Sequence, residues 1–524
     1  MLSVTKIPIL SILLFIGCTT RPLSALEGIL LGENSGDAIS QTDDISDVDI
    51  LHAIEREFRS DDALDADLIN VTVREGVVTL GGEAKTVLVK RQAERMVGSL
   101  KGVRSIINQL TVFPSLLDNE TIREQVQAAL NDSIVKANNE IVVDIDGDGV
   151  VKLSGNAVSY SSKLFIDSIV ADVRGVTDVV NQLAVKKPAS RRDPEEIKAE
   201  IIRRYELSPF LAEGLITISV DRGIVKLSGK VGSVNERLLA PNLAWLAGVE
   251  EVVSEDLKVD PSQKLERRKE KFVTVKSDLE LKQAVEDALL YDWRVRNQQI
   301  DVSANLAAIT LAGSVTSLKA KQAAGQTAES TLGARRVINN LRVNAKTWPG
   351  DSEITDRIQT ALGRDAHLSQ LELQASSHFG KVYVNGLVDT QFQRQRVFAV
   401  LSNLQGVREV VNRTRVEAAW VEKEDSAILE DVEIRLRWSP YVAAESIDVE
   451  VDDGIVTLTG TVDTWQDKKS AGQYAIRSGA KRVKNLLQVR LARGIGKKIT
   501  VTGHLKPWSD QLRLTRNFGL AGLN

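Results

Sequence analysis

Apolar residues recur along this chain with two periods that take turns. Stretches with period two, such as Ile69-Val71-Val73 and then Val78-Leu80, mark strands with one buried face. Between them, apolar residues fall every three or four positions, as at Ile50, Leu51, Ile54 and Phe58 or at Ala93, Met96, Val97 and Leu100. That spacing places them on one stripe of a helix. The predicted order is helix, strand, strand, helix, strand, and it occurs six times. The second copy repeats it with Ile122, Val126, Ala129 and Leu130, then Val151 and Leu153, then Ile166, Ile169, Val170 and Val173.

Glycines punctuate each copy. One closes the second strand (Gly82, Gly155, Gly229, Gly313, Gly386, Gly460), and a second, 19 or 20 positions on, ends the second helix (Gly102, Gly175, Gly248, Gly333, Gly406, Gly479). A third lies six residues before the first and suits a hairpin turn that needs φ > 0: Gly76, Gly149, Gly223, Gly380 and Gly454. Ala307 holds that place in the fourth copy, so that turn is expected to differ. The fold class is therefore α+β, a tandem array of six small αββαβ domains, each a three-stranded sheet with two helices on one face.

The units run over 47–113, 118–186, 193–260, 278–345, 351–418 and 424–492. A basic linker spans 261–277, with Lys264, Arg267, Arg268, Lys269, Lys271 and Lys276, and a basic tail covers 493–524. With 524 residues, 43 % apolar and 26 % charged, and a net charge of -4, composition is that of a globular chain with no bias toward nucleic acid.

The start of the chain differs from the rest. Lys6, an apolar run from Ile7 to Ile16 too short to cross a bilayer, and Phe15-Ile16-Gly17-Cys18 resemble a bacterial lipoprotein signal (1–18) with Cys18 as the acylated residue. The alternative is a secretory signal cut after Leu23-Ser24-Ala25. Thr19 after the cysteine implies, by the same resemblance, the periplasmic face of the outer membrane, with soluble periplasm as the alternative. Residues 19–46 read as a flexible tether spanning about 30 Å.

The V-x-L-x-G strand, the amphipathic helix after it, the Gly-Val pair and an asparagine six residues past that glycine (Asn108, Asn181, Asn339, Asn412, Asn485, with Ser254 in the third copy) resemble the BON domain of bacterial OsmY and nodulation proteins. The resemblance implies an exported, non-enzymatic protein of osmotic or envelope stress that binds phospholipid. Six weak modules on one chain would bind an anionic membrane multivalently. A periplasmic scaffold holding a protein or cell-wall polymer is the competing reading.

Candidate chemistry is sparse. Asp144, Asp146 and Asp148 alternate like the start of a calcium loop, but the twelfth position is Gly155 rather than glutamate, which favours a hairpin turn. Four scattered histidines and one cysteine offer no metal spacing, so no metal, cofactor or catalytic residue is expected. The recurring asparagine is expected to bond local backbone. Aromatic residues interleaved with arginines near the ends of first helices, Trp293, Arg294 and Arg296, then Arg435, Arg437, Trp438 and Tyr441, with Phe210 in the third copy, suit either lipid contact or the capping of each small core.

Overall fold

The computed structural model describes residues 45–490 apart from 115–116, 134–139, 187–191, 209–210, 212–214, 247, 262–276, 293, 296–297, 332, 345–348, 418–422 and 440–441. These residues belong to one compact unit. Each repeat opens with an amphipathic first helix: Asp47–Arg59, Asn119–Asp132, Pro194–Leu207, Asp278–Tyr291, Asp351–Arg364 and Asp425–Trp438. The second helices are Val87–Gly98, Tyr160–Ala171, Val234–Ala244, Leu318–Glu329, Gln391–Ser402 and Trp465–Arg477. A threonine or serine stands before every one of them, Thr86, Ser159, Ser233, Ser317, Thr390 and Thr464, and its hydroxyl accepts the third backbone N–H. Such a cap contributes about 1 kcal/mol and fixes where the helix starts.

Strand order is first, second, third, with the second in the middle. The first strand pairs antiparallel to it and the third parallel, as Val71 opposite Leu80 and Leu80 opposite Asn108 show in the first repeat. The strand-closing glycines let this central strand bend. At Gly155 φ is +108°, and an added Cβ would lie 2.1 Å from the Glu140 carbonyl oxygen, so no other residue fits without moving the backbone.

The fourth hairpin corrects an expectation. Leu306 and Ala307 take φ of 50° and 59°, matching Glu75 and Gly76 at 51° and 74°, so the turn is the same left-handed pair built without glycine. A carboxylate holds it. Asp278, at the start of the first helix, accepts the N–H groups of Leu306 and Ala307, and Asp47, Asp351 and Asp425 do the same in their own repeats.

The repeats then assemble by two kinds of contact. In the first kind, the residue opening one repeat's second helix and the last residue of its third strand enter the next repeat's core. Val87 and Val112 of repeat 1 pack into repeat 2, Val234 and Val259 of repeat 3 into repeat 1, and Leu318 and Val343 of repeat 4 into repeat 5. Between repeats 2 and 3, Tyr160 stacks on Trp245 at 4.6 Å. Lys469 of repeat 6 reaches Glu329 of repeat 4. The first triplet thus closes head to tail, 1 to 2 to 3 to 1, and the second uses the same sense.

In the second kind, a repeat of one triplet meets a repeat of the other through matching parts of their first helices. Asp132 and Arg364, the last residues of their helices, bond at 2.7 Å between repeats 2 and 5. Around them Arg174 N donates to Arg364 O and Gln405 N to Asp132 O, a reciprocal exchange. Glu57 and Arg435, both eleventh in their helices, join repeats 1 and 6. Arg203 and Asp287, both tenth, join repeats 3 and 4. Self-matching patches of this kind define local twofolds, and with the ring joints they give three-two pseudosymmetry.

Candidate functional site

Of the aromatic and arginine residues singled out as lipid contacts, Arg435 and Trp438 lie between repeats. Arg435 is buried, 2 % exposed, in its ion pair with Glu57, and it lines a polar cleft with Ser99, Ser470 and Gln473. Trp438 packs against the core of repeat 1, and its carbonyl accepts from Lys101 N. Arg294 folds back on Asp292, with Nη2 to Oδ2 at 2.7 Å. Of this group only Arg437 is exposed among the described residues. An apolar body beside a guanidinium suits a protein interface as well as a headgroup. Cys18, Phe210, Trp293, Arg296 and Tyr441 lie outside the described residues.

The repeat glycines all sit at positive φ. The asparagine does bond backbone, at two sites. Asn108 Nδ2 donates to Lys90 O on the second helix while its Oδ1 accepts Leu110 N, and Asn181, Asn339, Asn412 and Asn485 repeat both bonds. Each interrupts the third strand there. Where Ser254 replaces it, the third strand runs unbroken over Glu251–Val259.

A buried polar junction joins repeats 2 and 5. Arg396 bonds both Asp172 across the interface, at 2.7 Å, and Asp365 in its own repeat, at 2.8 Å. Burial alone would lower the Arg396 guanidinium, but the two carboxylates hold it above its ordinary value. Burial raises the Asp172 carboxyl, against the pull of Arg396. Nearby, His367 shares a hydrogen bond with Thr86 of repeat 1 at 3.1 Å and meets Phe392 edge to face. Burial drops its pKa to about 4, so the ring is neutral near pH 7. Among the described residues no group of three or more His, Cys, Asp or Glu side chains is placed to hold a metal, and no helix is long and apolar enough to cross a membrane. Arg396, Asp172 and Asp365 thus tie repeats 2 and 5 together, beside a small cavity that Arg364 and Asn403 also line.

The sheet side also presents an outward face. Alternate residues of the first strands are exposed on the face away from the helices, and the third strands form one margin of each sheet. Their charges divide by triplet. From the hairpin end onward, repeats 4 to 6 carry Arg335, Arg336, Arg342, Arg408, Arg413, Arg415, Lys481, Arg482 and Lys484 against Glu409. Most of these cations are exposed, among them Arg336, Arg342, Arg415 and Arg482. The corresponding stretches of repeats 1 to 3 carry Arg104 and Lys258 against Asp178, Glu250, Glu251, Glu255 and Asp256. Net charge concealed this division because the two triplets offset each other.

Six copies of a unit with two helices on a sheet ordered first, second, third strand define the class, a tandem array of one small α+β domain. The BON domain family matches residues 46–114, 118–187, 193–261, 277–345, 350–418 and 424–490, and the chain belongs to that family. It is similar to the osmotically-inducible protein Y of Escherichia coli (strain K12), 26 % identical over 203 residues that span 37 % of this chain and 98 % of that protein. Among solved structures it resembles CdsD, a structural protein of the type III secretion system of Chlamydia trachomatis, at 14 % identity over 44 % of this chain and 96 % of that one. The C-terminal domain of CdsD, also at 14 % identity, matches 41 % of this chain and 100 % of that one. At TM-scores of 0.12 and 0.11, neither likeness bears on function.

Proposed function

We propose that this protein is a non-enzymatic binder of anionic phospholipid surfaces in the bacterial envelope, serving in osmotic or envelope stress, with repeats 4 to 6 as the membrane-facing triplet. The observation that carries the reading is the exposed cations recurring on the third strands of repeats 4, 5 and 6. Carried on one chain, such modules act together on a charged surface, and each cation close to an anionic bilayer contributes about 1 kcal/mol. Family membership and the likeness to an osmotically inducible protein support the setting. Acylation at Cys18 would place the assembly at the periplasmic face of the outer membrane. The scaffold alternative would use open strand edges, but third strands cut at an asparagine and studded with cations suit edge protection better.

Vesicle co-sedimentation tests this. Binding should rise with the phosphatidylglycerol fraction and fall as salt screens the charges. Reversing Arg336, Arg342, Arg413 and Arg415 to glutamate should weaken it more than tenfold, by the same contribution per cation. The Arg104→Glu variant in repeat 1 should change little. Equal affinity for neutral and anionic vesicles, or none for either, would sink the proposal.

A further inference from the structure

Five of the six hairpin ends share one two-residue turn but not one chemistry; repeat 2 has a three-residue loop instead, between Asp146 and Val150. The residue before the turn glycine or alanine is Glu75 in repeat 1, Arg222 in repeat 3 and Asp453 in repeat 6, each at φ near 50°. The carbonyl of the next residue accepts an N–H from the start of the third strand, belonging to Arg104, Glu250 and Lys481 respectively. Tip and strand start therefore carry opposite charges in these three repeats. Repeats 4 and 5 break the rule. Their tips are Leu306 and Phe379, and the bonded residues are Arg335 and Arg408.

Both tip residues project into solvent, Leu306 at 81 % and Phe379 at 75 % exposure. Beside Leu306 lies the start of the first helix, where Leu279 is 77 % exposed and its neighbour Asp278 holds the turn. Phe379 is met by His378 edge to face at 4.6 Å. A bulky residue at positive φ is an outlier that glycine or asparagine would occupy at less cost. The Asp278 and Asp351 carboxylates hold these turns through the backbone, as they would with any side chain at the tip, and neither tip gains burial, so nothing in the folded protein calls for a large apolar residue there. The repeats concerned are adjacent, with Leu318 and Val343 of one packed into the core of the other, and both tips sit at the start of cationic third strands.

We infer that the Leu306 and Phe379 hairpin ends are wedges that enter the apolar zone of an anionic lipid surface while the arginines at their bases meet its headgroups. An apolar tip over a cationic collar matches the layering of that surface, and a protein partner would not call for the same pairing twice on unlike residues. This rests on the membrane reading and adds to it a part of the affinity that salt does not screen.

The test replaces Leu306 and Phe379 together with asparagine, which accepts the turn conformation, in the full chain; unchanged circular dichroism establishes that the variant folds. The parent should hold phosphatidylglycerol vesicles at salt that screens the charges and should raise the surface pressure of an anionic monolayer. The double variant should keep low-salt binding within about twofold, lose salt-resistant binding more than tenfold and leave the monolayer undisturbed. Replacing Phe379 with tryptophan while Leu306 is intact should keep insertion at the parent's level. If the double variant inserts and binds as the parent does, or if the parent's binding vanishes entirely with salt, the wedge inference fails and the electrostatic reading stands. If the parent binds no anionic vesicle at any salt, both fail.

Discussion

His367 shows how one side chain can set the conditions under which the assembly holds. It faces Thr86, Phe392, Asp365, Arg396 and Lys85, and burial outweighs Asp365 in holding its pKa near 4 against an ordinary 6.5. The folded form therefore prefers the neutral ring. As pH falls through 6.5 the unfolded chain binds a proton that the native one refuses, and stability drops until pH reaches about 4, by up to roughly 3 kcal/mol. Urea unfolding of the parent should show that loss, and His367→Asn should flatten it; identical pH profiles would refute the account. Nothing beside His367 in the sequence announces this, because Thr86 and Lys85 come from another repeat. The same holds for Arg435 and Trp438. Their residue types were legible, but which surface Arg435 faces depends on a partner 378 positions away.

At the level of helices and hairpins the sequence is a good guide. The two periods and the glycine frame mark helix, strand and turn because those depend on residues a few positions apart. The expectation failed at Ala307, where the turn survives without glycine since Asp278 accepts both of its N–H groups. That turn is held under strain, so Ala307→Gly should stabilise the protein by roughly 0.5–1 kcal/mol in equilibrium unfolding, whereas the same bonds with no gain would show the left-handed alanine to be costless. Strand order was open from the pattern and is settled by handedness: a strand, a crossover helix and a parallel strand place the third beside the second. A legible clue to the ring joints was the aliphatic residue directly after three of the six caps, Val87, Val234 and Leu318, which packs into a neighbour's core.

In the whole molecule, equivalent positions across each twofold carry opposite charges: Glu57 with Arg435, Asp132 with Arg364, Arg203 with Asp287. Identical copies could not do this, since a symmetric pair would set like against like. Arg364→Asp should therefore cost about 3 kcal/mol by setting a carboxylate against Asp132, and adding Asp132→Arg should recover at least half; a double variant no better than the single one in thermal unfolding would contradict the pairing.

The pairing is also nested in the order of synthesis. Repeats 3 and 4 meet first along the chain, the contact between repeats 2 and 5 joins residues 232 apart, and that between 1 and 6 joins residues 378 apart. During translation the first triplet can close its ring before repeat 4 exists, and then zip outward as each later repeat emerges. Its last face stays bare until the final repeat is made, so the first module to fold is the last to be covered.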